Sequence, residues 1–182
     1  MSQGAPSPRE GGRADEDGVL IVGCGASLRR DDQVGLRVAE ALARAGLPEQ
    51  VRVKTTESPC ADLLEDLANQ QDVGLFVIID AAAPEPGRSP GTWCRIDGRH
   101  QPHRIRTGDR SNIHGLSVDA AFEIAAEMGL LPPNVWVYVV AAAEVDYGED
   151  MSPAVSGAVG VLAERIAGDV RAWLAGRDKR SA

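Results

Sequence analysis

From residue 19 onward the chain alternates between two hydrophobic periods. Val19-Leu20-Ile21-Val22 is an unbroken apolar run closed by Gly23, the pattern of a strand buried on both faces. Gln33 to Ala45 then places Val34, Val38 and Leu42 at helical spacing, with Gly46 and Pro48 to stop the helix. Val51 to Thr56 alternates as a strand, and Ala61 to Asn69 predicts a short helix with Leu63, Leu64 and Leu67 on one side. Val73 to Ile79 is the most strand-like run, closed by Asp80. A Pro/Gly-rich connection leads to a strand over Thr92 to Ile96, and Gly98 to Asn112 reads as a polar loop. His114 to Met128 has a helical apolar face, and Val135 to Ala143 predicts another buried strand. Ser152 as N-cap with Pro153 behind it opens a final helix, whose face is Val155, Val159, Leu162, Ile166, Val170 and Trp173. Strands interleaved with helices in this way predict an α/β fold in three layers, α/β/α, around a mostly parallel five-stranded twisted sheet.

Only the ends of the chain break this pattern. Residues 1–18 combine Ser, Gly, Pro, Arg and acids, too little apolar surface to offset the entropy of ordering, and are expected to form a disordered tail. A single domain is expected over 19–176, with a short flexible tail over 177–182. A body of this size buries roughly 70% of its unfolded surface and needs no disulfide or structural metal. The 19 basic and 27 acidic residues leave a formal charge of −8, which argues against nucleic acid as a partner. No apolar run approaches the roughly 20 residues of a membrane helix, and residues 1–18 hold no signal-peptide core. The 3 cysteines form no C-x-x-C pair, so no disulfide framework is indicated and the expected compartment is the cytoplasm.

Ligands of open α/β sheets bind beyond the carboxyl ends of the strands, near the switch in strand order. Three such ends carry reactive side chains here: Gly23-Cys24-Gly25 followed by Arg30-Asp31-Asp32, Asp80 after its strand, and Asn112-Ile113-His114 before a helix. Two acids and a histidine from separate segments suit an oxygen/nitrogen metal site with open positions. Taken singly, each residue also has a plain structural reading: Asp31 or Asp32 as a helix cap, Asp80 as a turn residue, His114 as a structural histidine. The glycine loop lacks the third glycine of G-x-G-x-x-G, since Leu28 stands there, although Glu57 after the second strand could meet a ribose hydroxyl. His100 and His103 read as a solvated loop, Cys24 and Cys94 as small packing residues. Cys60, at the start of a helix whose dipole would lower its pKa, is a candidate nucleophile with no obvious partner to orient a histidine.

The order of residues 22 to 35, Val-Gly-Cys-Gly-Ala-Ser-Leu-Arg-Arg-Asp-Asp-Gln-Val-Gly, resembles the opening of the nickel–iron hydrogenase maturation endopeptidases. Ala61-Asp62-Leu63-Leu64, Ile78-Ile79-Asp80-Ala81-Ala82, Pro90-Gly91-Thr92, Ser111-Asn112-Ile113-His114-Gly115-Leu116, Glu144 to Tyr147 and Met151-Ser152-Pro153 follow in the family's order, so the likeness spans residues 19 to 175. The resemblance implies an endopeptidase that removes the C-terminal extension of a hydrogenase large-subunit precursor. It also implies that Asp32, Asp80 and His114 bind nickel supplied by that substrate, and by extension form the catalytic set. The chain departs from the family pattern at Ala26, where the family has Asn, and at Glu57-Ser58-Pro59-Cys60, where it tends to Gly-Thr-x-Gly. The alternatives are therefore a non-cleaving chaperone of the same fold that holds the nickel-loaded precursor, and a nucleotide- or methyl-donor-binding enzyme that uses Gly23 and Gly25.

Overall fold

The computed structural model describes residues 17–69, 72–101, 104–105 and 118–181. The chain forms β1 (Gly18–Cys24), a single 3-10 turn (Arg30–Gln33), α1 (Val34–Ala43), β2 (Val51–Thr56), α2 (Pro59–Asn69) and β3 (Val73–Ala82). It continues through β4 (Trp93–Asp97), α3 (Val118–Glu127), β5 (Asn134–Ala141) and α4 (Pro153–Ser181). The strands make one sheet in the order β2-β1-β3-β5-β4. Its β1, β2, β3 and β5 run parallel, with Val22 opposite both Lys54 and Ile78, and Asp80 opposite Val139. β4 is antiparallel to β5, with Ile96 opposite Val137. The connection from β3 to β4 holds no helix among its residues, and a strand reached without a crossover turns back rather than running parallel.

Alternation along the strands sorts the core into two layers. Val19 and Ile21 of β1, Val77 and Ile79 of β3, and Tyr138 and Val140 of β5 pack with Val38 and Leu42 of α1 and Leu162 and Ile166 of α4. Leu20, Val22 and Cys24, with Phe76, Ile78 and Val137, pack with Leu63 of α2 and Phe122 of α3. Each fully buried aliphatic side chain contributes roughly 1.5–3 kcal/mol relative to exposure, so two layers of this kind define the three-layer α/β/α fold. Central β3 is buried along its whole length, whereas edge strand β2 alternates and sends Arg52 and Lys54 to the surface. Charges on an edge strand discourage pairing with another chain.

The boundaries differ from the expected ones in places that matter. Gly18 is the first residue of β1, its N–H donating to the Asp72 carbonyl at 3.0 Å, so it does not belong to a tail. Residues 1–16 lie outside the described residues. β3 runs three residues beyond Ile79, so Asp80 sits within the paired strand rather than after it. α4 continues to Ser181, past its last apolar anchor and through residues 177–181, where a tail is expected. Arg177 stacks 4.9 Å from the Trp173 ring centroid and donates from Nε to Asp17 at 2.7 Å, so a polar residue carries the helix where the hydrophobic face ends. Ile105, in a segment read as a polar loop, is buried in the α2/α3 layer.

Candidate active site

The sheet changes direction of construction between β1 and β3: from β1 the chain steps to β2 on one side, then returns to β3 on the other. The turn after β1 closes over this switch point. Gly25 has φ 149°, and a Cβ there would fall 2.0 Å from the Asp32 carbonyl oxygen. A Cβ on Gly35 would fall 2.2 Å from the Cys24 carbonyl oxygen and 2.4 Å from that of Ile79. Glycine at these two positions therefore lets the segment bearing Asp32 and the start of α1 lie directly on the ends of β1 and β3. The remaining glycine of the loop, Gly23, faces the Gly35 carbonyl in the same way.

Asp80 shares the strand parity of Phe76 and Ile78, so its side chain leaves β3 on the α2/α3 side, as Cys24 leaves β1. Asp80 is buried, and its Oδ1 accepts the Ala81 N–H at 2.9 Å. Burial pushes the Cys24 thiol well above its ordinary value, and the carboxylates of Asp80, Asp32 and Asp62 push it the same way. The charges of Asp80, Asp32 and Asp62 are thus all felt at one buried thiol at the end of β1. The same field keeps Cys24 protonated, so it acts as the packing residue expected of it and not as a thiolate ligand. Asp62 lies in the first turn of α2. It accepts the Thr56 hydroxyl, whose oxygen in turn accepts the Ser58 N–H at 2.9 Å. This pair escapes sequence reasoning, because Thr56 and Asp62 belong to different elements.

The adjacent acids Asp31 and Asp32 have separate fates. Asp31 is fully buried, with Oδ2 accepting from Ala143 N at 2.7 Å, Glu144 N at 3.1 Å and Ser152 Oγ at 2.9 Å, and Oδ1 accepting from Ser152 N at 2.7 Å. It is a buried anchor rather than a cap of α1, whose N-cap is Gln33. Ser152 does precede α4 as expected, but its hydroxyl donates to Asp31. Asp32, one residue on, is half-buried at the switch point. His114 and Asn112 lie outside the described residues, as does His103. Cys60 falls in the first turn of α2, and its side chain is also outside them. His100 is exposed, with Nδ1 3.0 Å from Asp97 Oδ2, an acid the loop reading did not set beside it. Among the described residues no three His, Cys, Asp or Glu side chains are grouped to hold a metal ion by themselves. Of the three expected ligands, Asp32 and Asp80 are described, and their carboxylates are hard oxygen donors that suit a divalent ion needing further ligands.

Two large apolar side chains stand exposed at the rim. A parallel bridge joins Arg29 to Gly148, and Gly148 N–H donates to the Leu28 carbonyl at 2.8 Å. This sets Leu28, 44% exposed, beside Tyr147, 78% exposed, next to the turn that carries Asp31 and Asp32. No helix among the described residues is long and apolar enough to cross a membrane.

The fold that positions these residues is one seen in solved structures. The hydrogenase maturating endopeptidase HybD from E. coli superposes with a TM-score of 0.68 at 22% identity, over 85% of this chain and 92% of that one. The [NiFe] hydrogenase maturation protease HycI from Thermococcus kodakarensis KOD1 gives 0.65 at 22%, over 85% and 93%. HybD from Thermococcus kodakarensis gives 0.61 at 22%, over 84% and 98%. No protein-family model and no curated protein matches the sequence. The class defined is therefore a three-layer α/β/α protein with a carboxylate-lined switch point. Within that class the chain has the fold of the hydrogenase maturation endopeptidases.

Proposed function

We propose that this chain is an endopeptidase that removes the C-terminal extension of a nickel–iron hydrogenase large-subunit precursor in the cytoplasm. The observation that carries the reading is the fold, shared with proteins named as hydrogenase maturation endopeptidases; Asp32 in the turn after β1 and Asp80 in β3, whose charges both act on the Cys24 thiol, support it. In this reading Asp32 and Asp80 supply carboxylate oxygens and His114 an imidazole nitrogen toward nickel carried by the precursor. A borderline divalent ion of this kind takes oxygen and imidazole donors readily, and its presence marks the precursor as loaded. Three donors leave positions for the substrate's own ligands. Leu28 and Tyr147 at the rim suit a protein partner better than a small polar one, since exposed apolar side chains grouped beside a site are a mark of macromolecular docking.

The test is intact-mass spectrometry of nickel-loaded precursor, nickel-free precursor and casein after incubation with the chain. A single cut in the loaded precursor alone is the expected result. Equal cutting of loaded and nickel-free precursor, or digestion of casein, would replace this reading with an ordinary hydrolase. Binding of loaded precursor with no change of mass would favour the non-cleaving chaperone.

A further inference from the structure

We infer that Asp31 is a positioning residue, a buried carboxylate that holds Asp32 at the switch point by tying the turn after β1 to the loop between β5 and α4. The inference deepens the proposed function and rests on its reading of Asp32 as a site residue.

An ionised carboxylate only accepts hydrogen bonds, and its two oxygens offer about four lone-pair directions. Asp31 receives four donors, three of them backbone N–H groups from Ala143, Glu144 and Ser152 and the fourth the Ser152 hydroxyl. No neutral side chain of that size satisfies the same set, because an amide in its place turns an N–H toward N–H. The Asp31 N–H donates back to the Glu144 carbonyl at 3.1 Å. On one side, Arg30 N donates to Gly148 O at 2.9 Å and Arg29 Nε to Val145 O at 3.0 Å. On the other, Gln33 Nε2 donates to Glu149 O at 2.7 Å. Residues 29 to 33 are in this way sewn to residues 144 to 152.

A second feature shows that the turn is held rather than relaxed. Arg30 has φ 42° and is the one non-glycine residue with positive φ among the described residues. A side chain with a Cβ keeps that conformation only where its surroundings over-determine it. Arg30 lies between the Gly148 bond and the Asp31 anchor, and its NH1 meets Glu144 at 3.3 Å. The left-handed residue turns Asp31 inward, and the following residue, Asp32, is left half-buried where its charge is felt at the Cys24 thiol. Asp31 contacts no reacting atom in this arrangement; it acts through Asp32.

The test compares the full-length chain with Asp31→Asn, Ser152→Ala, Asp32→Ala and Val155→Ala. Val155 is buried in the α1/α4 layer, so its truncation lowers stability without touching the anchor. In amide hydrogen exchange, Asp31→Asn is expected to speed exchange over residues 29–33 at least tenfold while β3 stays protected, and Ser152→Ala to do so by less. Val155→Ala, at a comparable fall in melting temperature, leaves that segment at the wild-type rate. Unchanged exchange over 29–33 in Asp31→Asn and Ser152→Ala, or equal acceleration in Val155→Ala, overturns the inference. Should Asp31→Asn fail to fold, the Ser152→Ala and Val155→Ala pair decides it by the same criterion. Titration with Ni2+ alone adds the link to the site. Where wild type binds and Asp32→Ala does not, Asp31→Asn is expected to bind at least tenfold more weakly, and wild-type affinity in that variant overturns the inference. Equal nickel binding by Asp32→Ala and wild type instead removes Asp32 from the site reading, leaving the exchange result to decide the role of Asp31.

Discussion

Two carboxylates, Asp31 and Asp169, brace α4 against the rest of the molecule in opposite ways. Asp31 gathers backbone N–H groups from the loop that leads into the helix, together with the hydroxyl of Ser152. Asp169, in the helix itself, gathers side chains: Oδ2 accepts the Tyr138 hydroxyl at 2.7 Å, Arg165 Nε reaches both oxygens at 3.0 and 2.9 Å, and Arg95 stands 3.5 Å away. Backbone donors exist only once the loop is folded, so Asp31 fixes a path of the chain. Side-chain donors can swing to water, so Asp169 adds stability without dictating a path. The first arrangement suits a site that must place a neighbour accurately; the second suits a flank where α4 meets the sheet edge.

The largest expected effects fall on the Asp31 side. Asp31→Ala strands three partly buried N–H groups, each costing about 1–3 kcal/mol when left unpaired; water entry offsets part of that, and a loss of about 4 kcal/mol is expected by denaturant titration. Gly35→Ala attacks the same end by crowding, since the new methyl meets two strand carbonyls; about 3 kcal/mol is expected, at the upper end for overpacking. Asp169→Asn keeps most of its geometry and should cost about 1 kcal/mol, because solvent screens a group near the surface. Arg165→Ala should cost less again, and its effect should fade with added salt.

The pH dependence sharpens the contrast. Burial alone would raise the Asp169 carboxyl, but the Tyr138 hydroxyl and the Arg165 guanidinium outweigh it and hold the group below its ordinary 3.8. The folded state therefore favours the ionised form. The stability this gives is present above 3.8 and is lost as pH falls through the depressed value. Tyr138 moves the other way: burial, then Asp169, pushes its hydroxyl upward from 10.0, so its share is fully present below 10.0 and is lost as pH rises through the raised value. Chemical denaturation of wild type and Asp169→Asn across the acid range should give curves that converge as pH falls below 3.8. Parallel curves would remove Asp169 from the acid limb.

What the sequence discloses follows the same division. Unbroken apolar runs such as Val19–Val22 and helical spacing such as Val34, Val38 and Leu42 report burial directly, so the layers and the element order are legible. The i,i+4 pair Arg165 and Asp169 is also visible as a spacing. The roles of Asp31 and Asp32 are not, because two adjacent acids look alike until the positive φ of Arg30 separates them. The extension of β3 through Asp80 is hidden for a related reason: a polar residue reads as an end, whereas here it is paired opposite Val139. The last turns of α4 lack an apolar face and depend on Arg177 stacking on Trp173, a contact no periodicity encodes.

The central proposal is that Asp32, in the turn after β1, and Asp80, in β3, are both needed for cleavage of a hydrogenase large-subunit precursor. Its most direct test is the intact mass of nickel-loaded large-subunit precursor incubated in parallel with wild type, Asp32→Ala and Asp80→Ala, each variant first verified as folded by circular dichroism. The account predicts one cut by wild type, releasing the C-terminal extension, and no cut by either variant. Trimming by both variants at the wild-type rate would contradict it.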